Sequence, residues 1–248
     1  MKVFTYSVLL LCGVLLFTAR AAAVPVPVLK FLPEQQVLNQ LPAMQHQATA
    51  ANQLLLLVLG ADWCHDSVAL LEQFSHPGLN SALQQRYQLA LVDVGYLQYG
   101  QASTQHFGLP LYYGTPTVMI IDPQTSQLLN KNDLMHWSNA ASFELAAYQQ
   151  YFIDTDFKQR FARQQQQLAT VSAPVLAQID QYEQQQAAKL ANEYQRLGPL
   201  LKAYKASDKP ATAEFNQLWR DVKIFRSAIL PKVEQLQQQA VNGESLRF

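Results

Sequence analysis

The chain has 248 residues, 18 basic and 18 acidic side chains, and two cysteines. Only 15% of it is charged, and 33 glutamines occupy much of the polar share. A neutral chain with no Lys/Arg block excludes a nucleic-acid binder that works by counterion release, and two cysteines exclude both a disulfide-dense scaffold and a zinc site of four thiolates.

Residues 1–23 read as a secretory signal peptide. Lys2 supplies the positive start, residues 8–17 form an apolar run, and Ala21-Ala22-Ala23 offers a small-residue cleavage site. The run is too short for the about 20 residues of a membrane span. Cleavage removes Lys2, Arg20 and Cys12, leaving 16 basic against 18 acidic residues and a single cysteine, Cys64. The expectation is an exported protein with no stable membrane span after cleavage, periplasmic if the source is Gram-negative and otherwise secreted.

Residues 34–51 have helical periodicity, with Pro42 expected to kink or break them. Residues 53–59 are almost continuously apolar and end at Gly60, which fits a strand buried on both faces. Helices follow over 64–74 and 77–86, then a strand over 87–94 and a short helix or loop over 101–107. Residues 117–121 are strand-like, a turn at 122–125 leads to a short strand near 127–130, and 138–152 read as a helix capped by Ser138. Strands alternating with helices and ending in a hairpin indicate an α/β sandwich. After about residue 155 there are no strand-like runs. Leu190, Tyr194, Leu197, Leu201 and Tyr204, and Phe215, Leu218, Val222, Phe225, Ile229, Val233 and Leu236, step by threes and fours as seam positions of packed helices. A turn at 207–210 separates them, and kinks are expected at Gly198-Pro199 and Pro231. The chain thus divides into 1–23, a domain over 24–152, and a Gln-rich all-α extension over 153–248, a helical hairpin or bundle. The Gln-rich stretches 164–167, 184–186 and 237–239 read as neutral solvated helix faces, with an oligomer or partner surface as the sharper alternative.

The chemistry concentrates in Ala61-Asp62-Trp63-Cys64-His65-Asp66-Ser67, between a buried strand and a helix. A cysteine at a helix start meets unpaired N–H groups and the positive end of the helix dipole, and both favour the thiolate that attacks disulfides. A protonated His65 would add to this, and Asp62 and Asp66 oppose it. Ser67, three residues on, lies near Cys64 across the first turn and can donate a hydrogen bond to sulfur but cannot form an S–S bond. His46, His76, His106 and His136 have no short ligand spacing, so no metal or other cofactor is expected. Neither a phosphate loop nor a G-x-S-x-G elbow occurs. Tyr96, Tyr99, Tyr112 and Tyr113 are read as core packing or groove lining.

These residues resemble the thioredoxin superfamily. Trp63-Cys64-x-x-Ser67 is similar to that family's W-C-x-x-C site with serine in place of the second cysteine. Gly114-Thr115-Pro116-Thr117 before a strand is similar to its cis-proline loop, and the segment from Val92-Asp93-Val94 to Phe107-Gly108-Leu109-Pro110 resembles the stretch between them. The likeness covers about residues 31–152. It implies a thioredoxin-like α/β sandwich of a mixed sheet flanked by helices, a cis bond before Pro116, a loop facing Cys64 across a groove, and backbone groups of Thr115 that hold a bound polypeptide, with Trp63 beside it. Three features depart from the family: there is no resolving cysteine, Val58 stands where a buried Asp is usual, and the helical extension is additional.

A lone thiol that forms a mixed disulfide needs an outside thiol for release. The leading expectation is therefore an exported monothiol protein. Cys64 would exchange with protein thiols or disulfides, or with a small thiol such as glutathione, in isomerase-like exchange or thiol capture. His65 and Ser67 would tune the thiolate, Trp63, Thr115 and Pro116 would bind substrate, and an external reductant would complete the cycle. The alternative is a non-catalytic docking platform that binds a partner or dimerises through the helical extension.

Overall fold

The computed structural model describes residues 29–248. The signal-peptide reading and Cys12 lie outside them. Along the chain come β1 (Leu32–Pro33), α1 (Glu34–Ala50), β2 (Leu54–Gly60), α2 (His65–Phe74), α3 (Pro77–Arg86), β3 (Tyr87–Asp93), α4 (Gln101–Gln105), β4 (Thr117–Asp122) and β5 (Gln127–Leu128). Two 3-10 segments (Lys131–Asp133 and His136–Ser142), α5 (Leu145–Gln149) and a π turn (Gln150–Asp154) lead into α6 (Phe157–Leu168), α7 (Ala173–Lys205) and α8 (Ala213–Val241). None of the described helices is long and apolar enough to cross a membrane.

The sheet runs β1-β3-β2-β4-β5. Its β1, β3 and β2 are parallel, and β4 and β5 join antiparallel. This is the mixed sheet between helices that the thioredoxin-like resemblance implies. All seven residues of β2 are buried because it pairs on both edges and is covered on both faces. Leu55, Leu57 and Leu59 point into one apolar cluster, and Leu54, Leu56 and Val58 into the other. That alternation is the period-2 geometry of a strand. The registers keep the faces matched, with Leu57 opposite Ala90 and Met119, and Val58 opposite Leu91 and Val118.

The structure differs from the sequence expectations in three places. The first is proline. Helix α1 passes uninterrupted through Pro42, α7 through Pro199 and α8 through Pro231. All three rings lie on exposed positions, where water can satisfy the carbonyl that each missing N–H frees. The second is the segment 138–152, which is a chain of short turns rather than one helix. Asn139 leaves helical geometry, and Ser138 caps nothing; its Oγ donates to the Met135 carbonyl at 2.7 Å. The Tyr148 hydroxyl donates back to the Ala140 carbonyl at 2.8 Å, folding the segment around Trp137, Phe152 and Phe74. Burying these rings outweighs regular helix formation. The third is β1, a two-residue strand with no sequence pattern of its own.

Helices α7 and α8 pack against each other and against the segment between β3 and β4, where Tyr194 meets Tyr112 and Glu183 meets Tyr113. Ala187, Leu190, Tyr194, Leu197 and Leu201 of α7, and Phe215, Val222, Ile229 and Leu230 of α8, share one buried cluster with Leu55, Leu57, Leu59, Val92 and Met119. Gly198 permits the close approach, since a Cβ there would stand 2.5 Å from the Tyr96 carbonyl oxygen. The start of α8 is fixed by Thr212, whose Oγ1 accepts from the Phe215 N–H at 3.1 Å.

Candidate active site around Cys64

Cys64 is the N-cap residue of α2, with extended dihedrals (φ −92°, ψ 115°), and its carbonyl accepts the first helical bond from Val68 at 3.0 Å. The N–H groups of His65, Asp66 and Ser67 precede that bond and carry the positive end of the helix. The cysteine is free and 9% exposed. Its Sγ donates to the Thr115 carbonyl at 3.3 Å, across from the end of β2. The Thr115–Pro116 peptide bond is cis. Thr117 steadies the same loop from below, its Oγ1 donating to the Gly114 carbonyl at 2.8 Å.

Trp63 is held on three sides. Its Nε1 donates to the Gly95 carbonyl at 2.6 Å. Its ring stacks on Tyr96 with centroids 6.4 Å apart and meets Trp219 of α8 edge-on at 6.5 Å. His65 is exposed, with no hydrogen-bond partner among the described residues. Asp66 Oδ1 accepts from the Ala141 N–H at 3.0 Å, which ties α2 to the second 3-10 segment. Ser67 is fully buried, and its Oγ has no partner among the described residues, so the expected bond to Cys64 is absent. The thiol is turned to Thr115 instead, while Ser67 packs under the end of β2, where a Cβ on Gly60 would stand 2.8 Å from its oxygen. Val58 is completely buried among apolar side chains, so no carboxylate underlies the cysteine there.

A pocket of about 420 Å³ opens beside the thiol. Trp63, Cys64, His65, Asp66 and Thr115 line one side; Tyr204, Lys205, Phe215, Trp219, Lys223 and Arg226 line the other. The hairpin thus roofs the site. The structure brings together Trp63, Cys64, His65 and Thr115 around this opening, and leaves Ser67 beneath it.

Sequence reasoning missed the residues supplied by α8, above all Arg226 and Trp219. A signal was available. Arg226 stands four residues after Val222 and three before Ile229, on the apolar seam, where a charge is out of place. Glu183 of α7 does the same between Ile179 and Ala187. Both are buried, at 8% and 2% exposure. Glu183 is satisfied: its Oε1 accepts from the Tyr113 hydroxyl at 2.9 Å and its Oε2 from Lys131 Nζ at 2.6 Å. Burial, reinforced by the Glu183 charge, holds the Tyr113 phenol well above its ordinary range. That contact fixes the residue preceding Gly114-Thr115-Pro116.

No group of three or more His, Cys, Asp or Glu side chains that could hold a metal ion occurs among the described residues. No family model matches the chain, and no curated protein matches it. Among solved structures, it is similar to one described as the disulphide isomerase from Xylella fastidiosa Temecula1, with a TM-score of 0.46 and 19% identity, over 53% of this chain and 98% of that one.

Proposed function

We propose that the protein performs thiol–disulfide exchange through Cys64 in an exported compartment. The observation that carries this reading is a free thiol at the start of a ten-residue helix, bordering an open pocket and facing the backbone of Thr115. The thiolate is the attacking species in such exchange. When it attacks, the S–H···O bond to Thr115 is released, and the Thr115 backbone becomes free to face the incoming chain or small molecule. With no second cysteine near Cys64 among the described residues, the mixed disulfide persists until an external thiol cleaves it. Isomerase-like exchange and reversible thiol capture both suit that cycle. His65 stands exposed at the rim.

The second reading, a docking platform without chemistry, draws on one observation. Cys64 is only 9% exposed, and Trp63 is clamped by Trp219. Intact-mass measurement after treatment with a small disulfide separates the two. Exchange predicts one DTT-reversible adduct, lost in Cys64→Ala; the platform predicts an unmodified native thiol.

A further inference from the structure

Arg226 is the buried charge of the helical hairpin that meets the Tyr194 hydroxyl but no carboxylate among the described residues. It is 8% exposed, and its Nη1 has no hydrogen-bond partner among the described residues. No carboxylate among them lies within ion-pairing distance of it. Its guanidinium carbon stands 5.7 Å from the centre of the Trp219 ring, a contact that orients the head group without neutralising it. An uncompensated buried cation is costly, and Glu183, the other buried charge of the hairpin, is fully partnered. The two thus differ in what surrounds them. Glu183 faces the interior contacts of the loop before Pro116, whereas Arg226 lines the pocket that contains Cys64.

The pocket's charge agrees. Lys205 and Lys223 stand exposed at its mouth, and Arg226 lies in its wall. Asp66 is its one carboxylate, and its Oδ1 is engaged by the Ala141 N–H. His65 adds a cation when protonated. A volume of about 420 Å³ lies in the range of small-molecule sites, about 300–1,000 Å³. Tyr204, Phe215 and Trp219 add aromatic walls to the same pocket.

We propose that the pocket beside Cys64 selects low-molecular-weight disulfides that carry a carboxylate, with the Arg226 guanidinium as the carboxylate's partner. The proposal rests on the exchange reading and names its substrate class. The Cys64 thiolate, its proton gone to solvent, attacks one sulfur of R–S–S–R. That S–S bond breaks as the Cys64–S–S–R bond forms, and R–S⁻ leaves and is protonated by water. Cys64 is oxidised to the disulfide level and one R–S group is reduced. A second molecule of R–SH then attacks the mixed disulfide, regenerating the Cys64 thiol and R–S–S–R.

The test compares three disulfides on the full chain by intact mass: dianionic 3,3′-dithiodipropionate, neutral 2-hydroxyethyl disulfide and dicationic cystamine. Each rate is divided by that of the urea-unfolded chain to cancel intrinsic reactivity. The expected order is anionic first, by about tenfold or more over neutral, the scale of one charged hydrogen bond, and cationic last. Arg226→Gln should bring the anionic-to-neutral ratio to about one, and Arg226→Lys should keep part of it. Should Arg226→Gln not fold, protection of Cys64 from iodoacetamide by suberate, in which two methylenes replace the sulfurs of dithiodipropionate, tests the pocket in the unmodified protein. Protection supports the proposal and its absence overturns it. Adducts with all three disulfides at equal normalised rates, or faster reaction with a disulfide-bonded protein than with dithiodipropionate, would overturn the substrate class and leave exchange standing. An absence of any adduct on the folded chain would overturn the exchange reading and the proposal with it.

Discussion

The two faces of the sheet are closed from different parts of the chain. On one, Leu56, Val58, Leu91, Val118 and Ile120 are covered by α2, α3 and the aromatic turns around Trp137, Tyr148 and Phe152, all from residues 56–152. On the other, Leu55, Leu57, Leu59, Val92 and Met119 meet α1 and then helices contributed by residues 187–230. The first face carries the thiol. The second carries the roof over it, including Trp219 and Arg226. Any chemistry at Cys64 is therefore shaped by a segment more than a hundred residues downstream, and the hairpin serves the site as well as the core.

Truncation at residue 168 breaks this comparison most severely. Removing Leu190, Tyr194, Leu197, Ile229 and their neighbours takes away a large part of the apolar cluster that they share with the second face. At about 1.5–3 kcal/mol for each large side chain, the loss exceeds the about 5–15 kcal/mol that holds a domain folded. The truncated chain should lose its cooperative thermal transition. A sharp transition near that of the full chain would show that the two faces are independent.

Glu183→Ala is a smaller break on the same face. It leaves the Tyr113 hydroxyl and Lys131 Nζ without their partner, at a cost of about 3 kcal/mol, the low end for a broken buried pair because Lys131 keeps some contact with water. Urea unfolding should show the drop in midpoint with little change in slope.

Alkaline titration probes both faces together. Burial pushes the Tyr87 phenol up to about 12, with the nearby Arg86 working against it. Its hydroxyl donates to the Phe152 carbonyl at 2.6 Å. Because the folded value is raised, the contribution is fully present below about pH 10 and is lost as pH rises through about 12, at most about 3 kcal/mol from this residue. Tyr113 and Tyr194 on the hairpin face are raised too, both chiefly by burial, so their contributions fall in the same direction. Unfolding free energy measured against pH should decline steeply above pH 10, and Tyr87→Phe should make that decline shallower.

Gly198→Ala gives the smallest effect. The added methyl meets the Tyr96 carbonyl and moves α7 outward, at about 1–2 kcal/mol. Since Tyr96 stacks on Trp63, the change should also alter tryptophan fluorescence near the site.

The sheet was legible because β2, β3 and β4 are apolar runs of strand length, and the Cys64 environment because a Trp-Cys pair follows one of them directly. Seam spacing marked α7 and α8 equally well. Three features were not legible, each for a physical reason. Proline reads as a breaker, but exposed Pro42, Pro199 and Pro231 give up a hydrogen bond that water replaces. Ser67 reads as a hydroxyl near sulfur, but the thiol's rotamer toward Thr115 depends on a loop 51 residues away. The docking of the hairpin on the segment between β3 and β4 is a long-range match of apolar faces that local pattern does not encode. Only the misplaced charges Glu183 and Arg226 hinted that those seams face more than each other.

The central claim is that native Cys64 is an exchange-competent thiol. Its most direct test is intact-mass and peptide-mass analysis of the folded protein incubated with glutathione disulfide, beside the same chain unfolded in urea. The account predicts a single DTT-reversible adduct on Cys64 of the folded protein, formed faster than on the unfolded chain and absent from Cys64→Ala. An unmodified thiol in the folded protein, under conditions where the unfolded chain is fully modified, would contradict it.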